Sequence, residues 1–512
     1  SLLALAVAAP AFGQSNTSDI DQSGNTNTAE VTQDGSGNDS DIDQTGNTNT
    51  ATVTQDGTDG TAGVLQTGTT NEATIDQTSI EGFADVIQNG NTNIANITQA
   101  DASGDDSIGI QPTGTDDPEA RINQQGNGND SSIDQTNVPG SFNLTADSIQ
   151  NGNDNIATIT QSANGPGFTG TLRATVTQSN GADSLVTQTA SNGAKNFQAN
   201  VTQNDSISSV IQTGTASTGT NNPALRATVD QTGGSDSKVT QTVGGVGGGD
   251  LFASVLQANG AKSTVNQTAN GTGSVTQDAF VDQDGANTST ITQTFTQTAS
   301  KNFTATVFQR GDDNTSTVTQ SDFAPGSVAS PDEMLTATVT QTGDGNTSDL
   351  TQLNKMATAT ITQSGNDNLS EATQNGATLT LTVEQTGDGN ESDVSQVGLT
   401  NLSDVFQAGI GAKSTITQAG RSNAIYIDQL VGSDGSSSTV TQTTMPSAAH
   451  TRNIARVTQS AADNTSGVQQ GGFNGLATVN QSGPGNDSTI AQIGTVSYGT
   501  GVVSNSATVT QS

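Results

Sequence analysis

The chain has 512 residues, of which 29% are hydrophobic and 3% aromatic, and it contains neither Trp nor Cys. That is too little apolar matter for a series of conventional globular cores, and it leaves no disulfide framework and no thiolate metal site. The net charge of −36, from 13 basic and 49 acidic residues, argues against nucleic acid and anionic membrane surfaces as partners, and it keeps chains apart in solution.

Residues 1–13 read as the end of a secretion signal. Ser1 to Pro10 is an apolar run, and Ala11-Phe12-Gly13 is a small-x-small cleavage pattern that leaves Gln14 first in the mature chain. No later segment approaches the length of a membrane span.

Residues 14–99 form a regular block in which Gln marks the beat. Gln22, Gln33, Gln44, Gln55, Gln66, Gln77, Gln88 and Gln99 stand 11 residues apart. Ala or Ser precedes each Gln by four positions, as at Ser18 and Ala29, and Val or Ile by two, as at Ile20 and Val31. Gly follows two positions later, as at Gly24, Gly35 and Gly46, and Asn five later, as at Asn27, Asn38 and Asn49. The unit is Asn-x-(Ala/Ser)-x-(Val/Ile)-x-Gln-x-Gly-x-x. Its fixed residues alternate, which is the period of a β-strand, and Gly supplies the turn. An 11-residue period also fits a right-handed helical coiled coil, but Gly in every unit and β-branched strand residues oppose helix.

Residues 100–340 keep the strand motif with irregular spacing. Gln161 and Gln178, each closing an Ala-Thr-(Ile/Val)-Thr-Gln run, are 17 apart. Insertions at Asn137 to Asn143, Ala216 to Ala224, Gly244 to Asp250 and Asp322 to Met334 read as loops bulging from turns. The beat returns over residues 341–430 at Gln341, Gln352, Gln363, Gln374, Gln385, Gln396, Gln407, Gln418 and Gln429. Residues 431–512 carry further repeats and end on the strand motif Ser506 to Gln511, which leaves an uncapped edge open to another chain.

One strand-turn unit cannot bury its inner face. Two make a 22-residue coil, and stacked coils bury a thin core. The expected fold is an all-β, amyloid-like β-solenoid, with residues 22 apart lying above one another. Inward Asn and Gln are costly unless paired, and a ladder of stacked amides pairs them. Some forty units, or roughly twenty coils at about 4.8 Å each, give a rod on the order of 100 Å.

The unit resembles the curlin repeat of bacterial curli fibres, Gln-x-Gly-x-x-Asn-x-Ala-x-x-x-Gln, which Gln22 to Gln33 and Gln44 to Gln55 fit. The resemblance implies secretion by a Gram-negative bacterium, nucleated self-association into fimbrium-like fibres, adhesion and biofilm matrix formation. It implies nucleator and secretion-pore proteins as partners. This chain is several times longer than a typical curlin subunit, its middle carries insertions, and no Gly-rich polar leader precedes the first repeat.

No enzyme motif, cofactor site or metal site is visible. The single His, His450, has no local partners, and Met334, Met356 and Met445 are scattered. Asp-rich turns at Gly343 to Asn346 and Gly387 to Asn390 raise a calcium-binding β-solenoid as an alternative, although they lack the spacing of calcium β-rolls. Outward Thr pairs such as Thr52/Thr54, Thr158/Thr160, Thr175/Thr177, Thr317/Thr319 and Thr439/Thr441 raise ice binding as an alternative, although Asp19, Asp21, Asp41 and Asp43 interrupt the rows. The leading alternative to a fibre subunit is a monomeric β-solenoid surface adhesin.

Overall fold

The structure is a computed structural model that describes residues 15–78, 81–101, 119–137, 144–164, 171–191, 196–215, 224–244, 249–271, 275–296, 301–322, 333–444, 452–472, 474–493 and 505–512. The segment read as a secretion signal, His450, Met445 and most of each insertion lie outside the described residues.

Alternation sets the strands. In Thr28–Ser36, Ala29 and Val31 are buried while Thr28, Glu30 and Thr32 face solvent. Outside the stretch 333–399, each strand pairs in parallel with the strand two further along, like residue on like: Ile20 opposite Ile42 and Gln22 opposite Gln44, Ala29 opposite Ala51 and Gln33 opposite Gln55. A slip of one residue would turn every Gln and Val outward, so this register is strongly specified. The chain is an all-β parallel β-solenoid, with no helix among the described residues.

Two compact units are distinguished, residues 1–259 with 267–274 and residues 260–266 with 275–512. In the first, one row of strands runs from Thr17–Asn25 to Gly249–Ala258 and a second from Thr28–Ser36 to Asp236–Val243. The second unit repeats the plan from Val275–Asp284 to Asn505–Gln511. Two 18-residue strands there, Thr347–Ser364 and Leu369–Thr386, each carry one member of both rows without interruption.

Register displacement is 22 residues between Thr17–Asn25 and Asp39–Asn47. It widens to 36 between Phe83–Asn91 and Glu119–Asn127, and to 28 between Leu144–Asn151 and Leu172–Ser179. Most of the added length falls on one side. Turns from first row to second stay short, as Asn25 to Thr28 and Asn204 to Ile207. Segments 102–118, 138–143 and 165–170 instead join the end of a second-row strand to the next first-row strand.

On that side the inner corner changes character. Asn38 and Gly60 occupy it early in the chain. Further on, Leu144, Leu172, Phe197, Leu225 and Leu251 stack there in register, all fully buried. Each such side chain contributes about 1.5–3 kcal/mol by leaving water. In the early coils the interior is Ala or Ser beside Val or Ile, small enough for the two rows to approach closely, while the second unit also buries Phe295, Phe303 and Leu350.

Glycine is required where one coil's turn sits on the next. Gly46 has φ 123°, and a Cβ there would lie 1.8 Å from the Gly68 carbonyl oxygen. No side chain fits between turns stacked that closely.

Candidate functional site

The polar interior is the feature that sets this molecule apart from an ordinary β-protein. In the first unit two Gln rows run without a break. On the first row, Gln22 Nε2 donates to Gln44 Oε1 at 2.6 Å, Gln44 to Gln66 at 2.7 Å, and Gln66 to Gln88 at 2.8 Å. On the second row Gln33 donates to Gln55, Gln55 to Gln77 and Gln77 to Gln99, at 2.8, 2.9 and 2.8 Å. In the second unit Gln341, Gln363, Gln385, Gln407 and Gln429 form one such chain. Gln352, Gln374, Gln396 and Gln418 form the other.

The second N–H of each amide has a use that the sequence does not reveal. Gln44 Nε2 also donates to the Thr28 carbonyl at 3.0 Å, and Gln33 Nε2 to the Thr17 carbonyl at 2.8 Å. Each amide therefore bonds along its own row and across to the backbone of the facing row. Both donors are satisfied, which is what makes a buried amide tolerable.

Asn works differently from the stacked-amide expectation. Asn27 Oδ1 accepts the Asn49 backbone N–H at 3.1 Å, while its Nδ2 donates to the Ser23 and Gly46 carbonyls. Asn38 bonds to the Asp34 and Gly57 carbonyls and accepts from the Gly60 N–H, and Asn49 bonds to Thr45 and Gly68 carbonyls and accepts from the Asn71 N–H. These are clamps on the turn backbone. They fix the turn by satisfying its peptide groups. Direct amide-to-amide bonds join only some neighbours, such as Asn93 to Asn71.

Sequence spacing singled out only the Gln of the regular blocks. The rows also include Gln124, Gln150, Gln178, Gln203, Gln231 and Gln257 on one side of the first unit. Gln135, Gln161, Gln188, Gln212 and Gln241 continue the other. Their signal was the closing Gln of each (Val/Ile)-x-Gln run, read without regard to spacing. Gln150, in Ser148-Ile149-Gln150, lacks even that.

Turn acids join a further ladder. Asp344 Oδ1 accepts the Asp312 N–H at 2.8 Å, and Asp388 Oδ1 accepts the Asn366 N–H at 2.8 Å. One oxygen of each carboxylate is thereby committed to the neighbouring turn. Among the described residues no three His, Cys, Asp or Glu gather as a metal-holding group.

This geometry, small-residue interiors with Gln rows and Asn-clamped turns, can be set beside known repeats. The curlin associated repeat matches residues 13–46, 46–78 and 357–387. These three stretches are curlin-family repeats. The matches fall where the Gln spacing is regular. A comparison with curated proteins finds no match.

The outer faces differ along the chain. Asp19, Asp41, Asp21 and Asp43 crowd one face, and burial followed by the charges of Asp43, Asp19 and Asp39 pushes the Asp41 carboxyl up from its ordinary value. Asp130 lies in register between Ile94 and Ile156, and loss of hydration raises it. Arg121 stacks over Phe83 at 5.2 Å and Arg456 over Tyr426 at 4.7 Å. In the second unit, Thr304, Thr336, Thr358 and Thr380 form one outward file, and Thr306, Thr338, Thr360 and Thr382 another.

Proposed function

We propose that the chain is the structural subunit of an extracellular, curli-like amyloid fibre that serves adhesion and biofilm matrix in a Gram-negative bacterium. Residues 1–13 direct its export, and a nucleator and an outer-membrane secretion pore act as partners. The basic unit is the 22-residue coil, onto which the middle of the chain adds loops. No helix among the described residues is long and apolar enough to cross a membrane.

The carrying observation is the polarity of the Gln rows. Along the described rows Gln donates to Gln from the earlier coil to the later one, from Gln22 to Gln44 through Gln481 to Gln511. A coil therefore offers amide acceptors on one side and donors on the other, beside an open backbone edge. The contact between coils of one chain is the contact a second copy would make, and parallel strand addition joins them. The Gln and Asn positions of the regular blocks, from Gln22 and Asn27 through Gln429, carry that contact.

The test is assembly of purified mature protein. Fibres with reflections at about 4.7–4.8 Å and about 10 Å, raised thioflavin fluorescence and self-seeding are expected. A protein that stays monomeric at high concentration would point to the surface adhesin instead.

One observation favours a second reading, ice binding. The two Thr files of the second unit are unbroken over four strands, with hydroxyls on a grid of about 4.8 by about 6.6 Å. Thermal hysteresis of the purified protein tests it, and none in solution or on fibres would eliminate it.

A further inference from the structure

A buried ion pair sits inside the second unit. Lys301 Nζ lies 3.8 Å from Asp322 Oδ2, with the two side chains 2% and 0% exposed. Lys301 begins the strand Lys301–Arg310, two residues before the buried Phe303, and Asp322 directly follows the strand Thr315–Ser321. The two residues are thus the first and last of one coil. A buried ion pair of this kind gives weak net stability because both charges lose their hydration.

The other carboxylate oxygen is held separately. Asp322 Oδ1 accepts the Thr296 backbone N–H at 2.9 Å and the Thr296 hydroxyl at 3.1 Å. One oxygen is thereby braced by two donors while the other faces the amine. That division suits addition of an amine to the carboxyl carbon, since the braced oxygen is where negative charge would develop.

The geometry points to a covalent isopeptide bond between Lys301 and Asp322. The lysine ammonium passes one proton to Asp322 Oδ2, and the neutral amine adds to Cγ. The tetrahedral oxyanion forms at Oδ1 under the two Thr296 donors. A second proton moves from nitrogen to Oδ2, which leaves as water, and an Nζ–Cγ amide remains. The ammonium and carboxylate become one amide and one water, with no oxidant or reductant involved. The bond removes both buried charges and closes residues 301–322 into a covalent ring. It staples the first residue of that coil to its last.

Intact mass spectrometry of the full chain tests this directly. The wild type should weigh one water less than its sequence. A digest should contain a branched peptide joining Lys301 to Asp322, with tryptic cleavage after Lys301 lost. Lys301→Arg, which keeps the positive charge, should restore the full mass, and Thr296→Val should leave a mixture of linked and unlinked chains. A wild type at full sequence mass with cleavage after Lys301 overturns the proposal whatever the variants do. So does a water loss that persists in Lys301→Arg.

Discussion

Two stretches of the first unit, strands within residues 17–91 and strands within residues 144–258, solve one problem in different ways. Both must close the inner corner where the second row hands the chain back to the first. The early stretch closes it with a polar clamp: Asn38 bonds to Asp34 and Gly57 carbonyls and takes the Gly60 N–H. The later stretch closes it with the apolar stack Leu144, Leu172, Phe197, Leu225 and Leu251. A clamp needs turn carbonyls at fixed places, so the connection must be short. A plug asks nothing of the backbone beside it. The corner residue therefore decides whether a coil tolerates an insertion, while the Gln rows pass through both stretches unchanged.

The plug offers the sharpest way to break this comparison. Phe197→Ala should cost about 4 kcal/mol, as emptied core sites do, and should lower hydrogen-exchange protection in the strands Leu172–Ser179 and Leu225–Thr232 that flank it. Protection across Thr17–Asn91 should not move. Uniform loss over both stretches would mean that the corner plug is not a local device.

The Gln rows should show no difference between the stretches. Gln66→Ala strands the Gln44 donor and the Gln88 acceptor, and Gln150→Ala strands those of Gln124 and Gln178. At about 1–3 kcal/mol for each buried unpaired group, both should lose about 3 kcal/mol in urea titrations. A much smaller loss at Gln150 would show that the row matters only where spacing is regular.

Sequence periodicity made the strands, their inward face and the 22-residue stacking of the early coils legible, because like residues recur at the β period. The clamps were not legible as clamps. Asn38 looks like one more stacked amide until its carbonyl partners, 4 and 19 residues away, are seen. The plug was hidden for a different reason. Leu144 and Phe197 sit two residues before Ala146 and Ala199, beside insertions that disturb the beat, so no repeat points to them. Lys301 and Asp322 were hidden by the same insertions: each marks an end of a coil whose length only the pairing reveals.

The Asn clamp on the opposite, short-turn side should matter less. Asn49→Ala removes bonds to Thr45 and Gly68 carbonyls and from the Asn71 N–H, at about 1–2 kcal/mol. The later stretch already places Ala182 and Ser206 at this position, with Ala182 N–H still bonded to Asn155. Ala182→Asn should recover part of that difference, and a loss of stability there would show that the later turns have diverged in shape. Excising residues 103–116 should change stability by less than about 1 kcal/mol, since loop-closure cost varies slowly with length.

The smallest effect is that of pH, and it separates the early stretch from Asp130, which lies between the two stretches. Asp41 and Asp130 both have carboxyls raised above the ordinary value of 3.8. A group with a raised folded-state value binds its proton more tightly folded than unfolded. Stability therefore climbs as pH falls through the raised values toward 3.8 and levels off below it. For Asp130, set between Ile94 and Ile156, the cause is lost hydration alone, which salt does not screen. For Asp41, lost hydration comes first, and the charges of Asp43, Asp19 and Asp39 add to it. Melting temperature against pH should rise modestly on acidification at low salt. High salt should remove only the charge contribution at Asp41, as Asp43→Asn should in part, and leave its hydration contribution in place. Asp130→Asn should remove a part that salt leaves untouched. A pH slope abolished entirely by salt would place all of it in charge repulsion and none in the Ile-flanked acid.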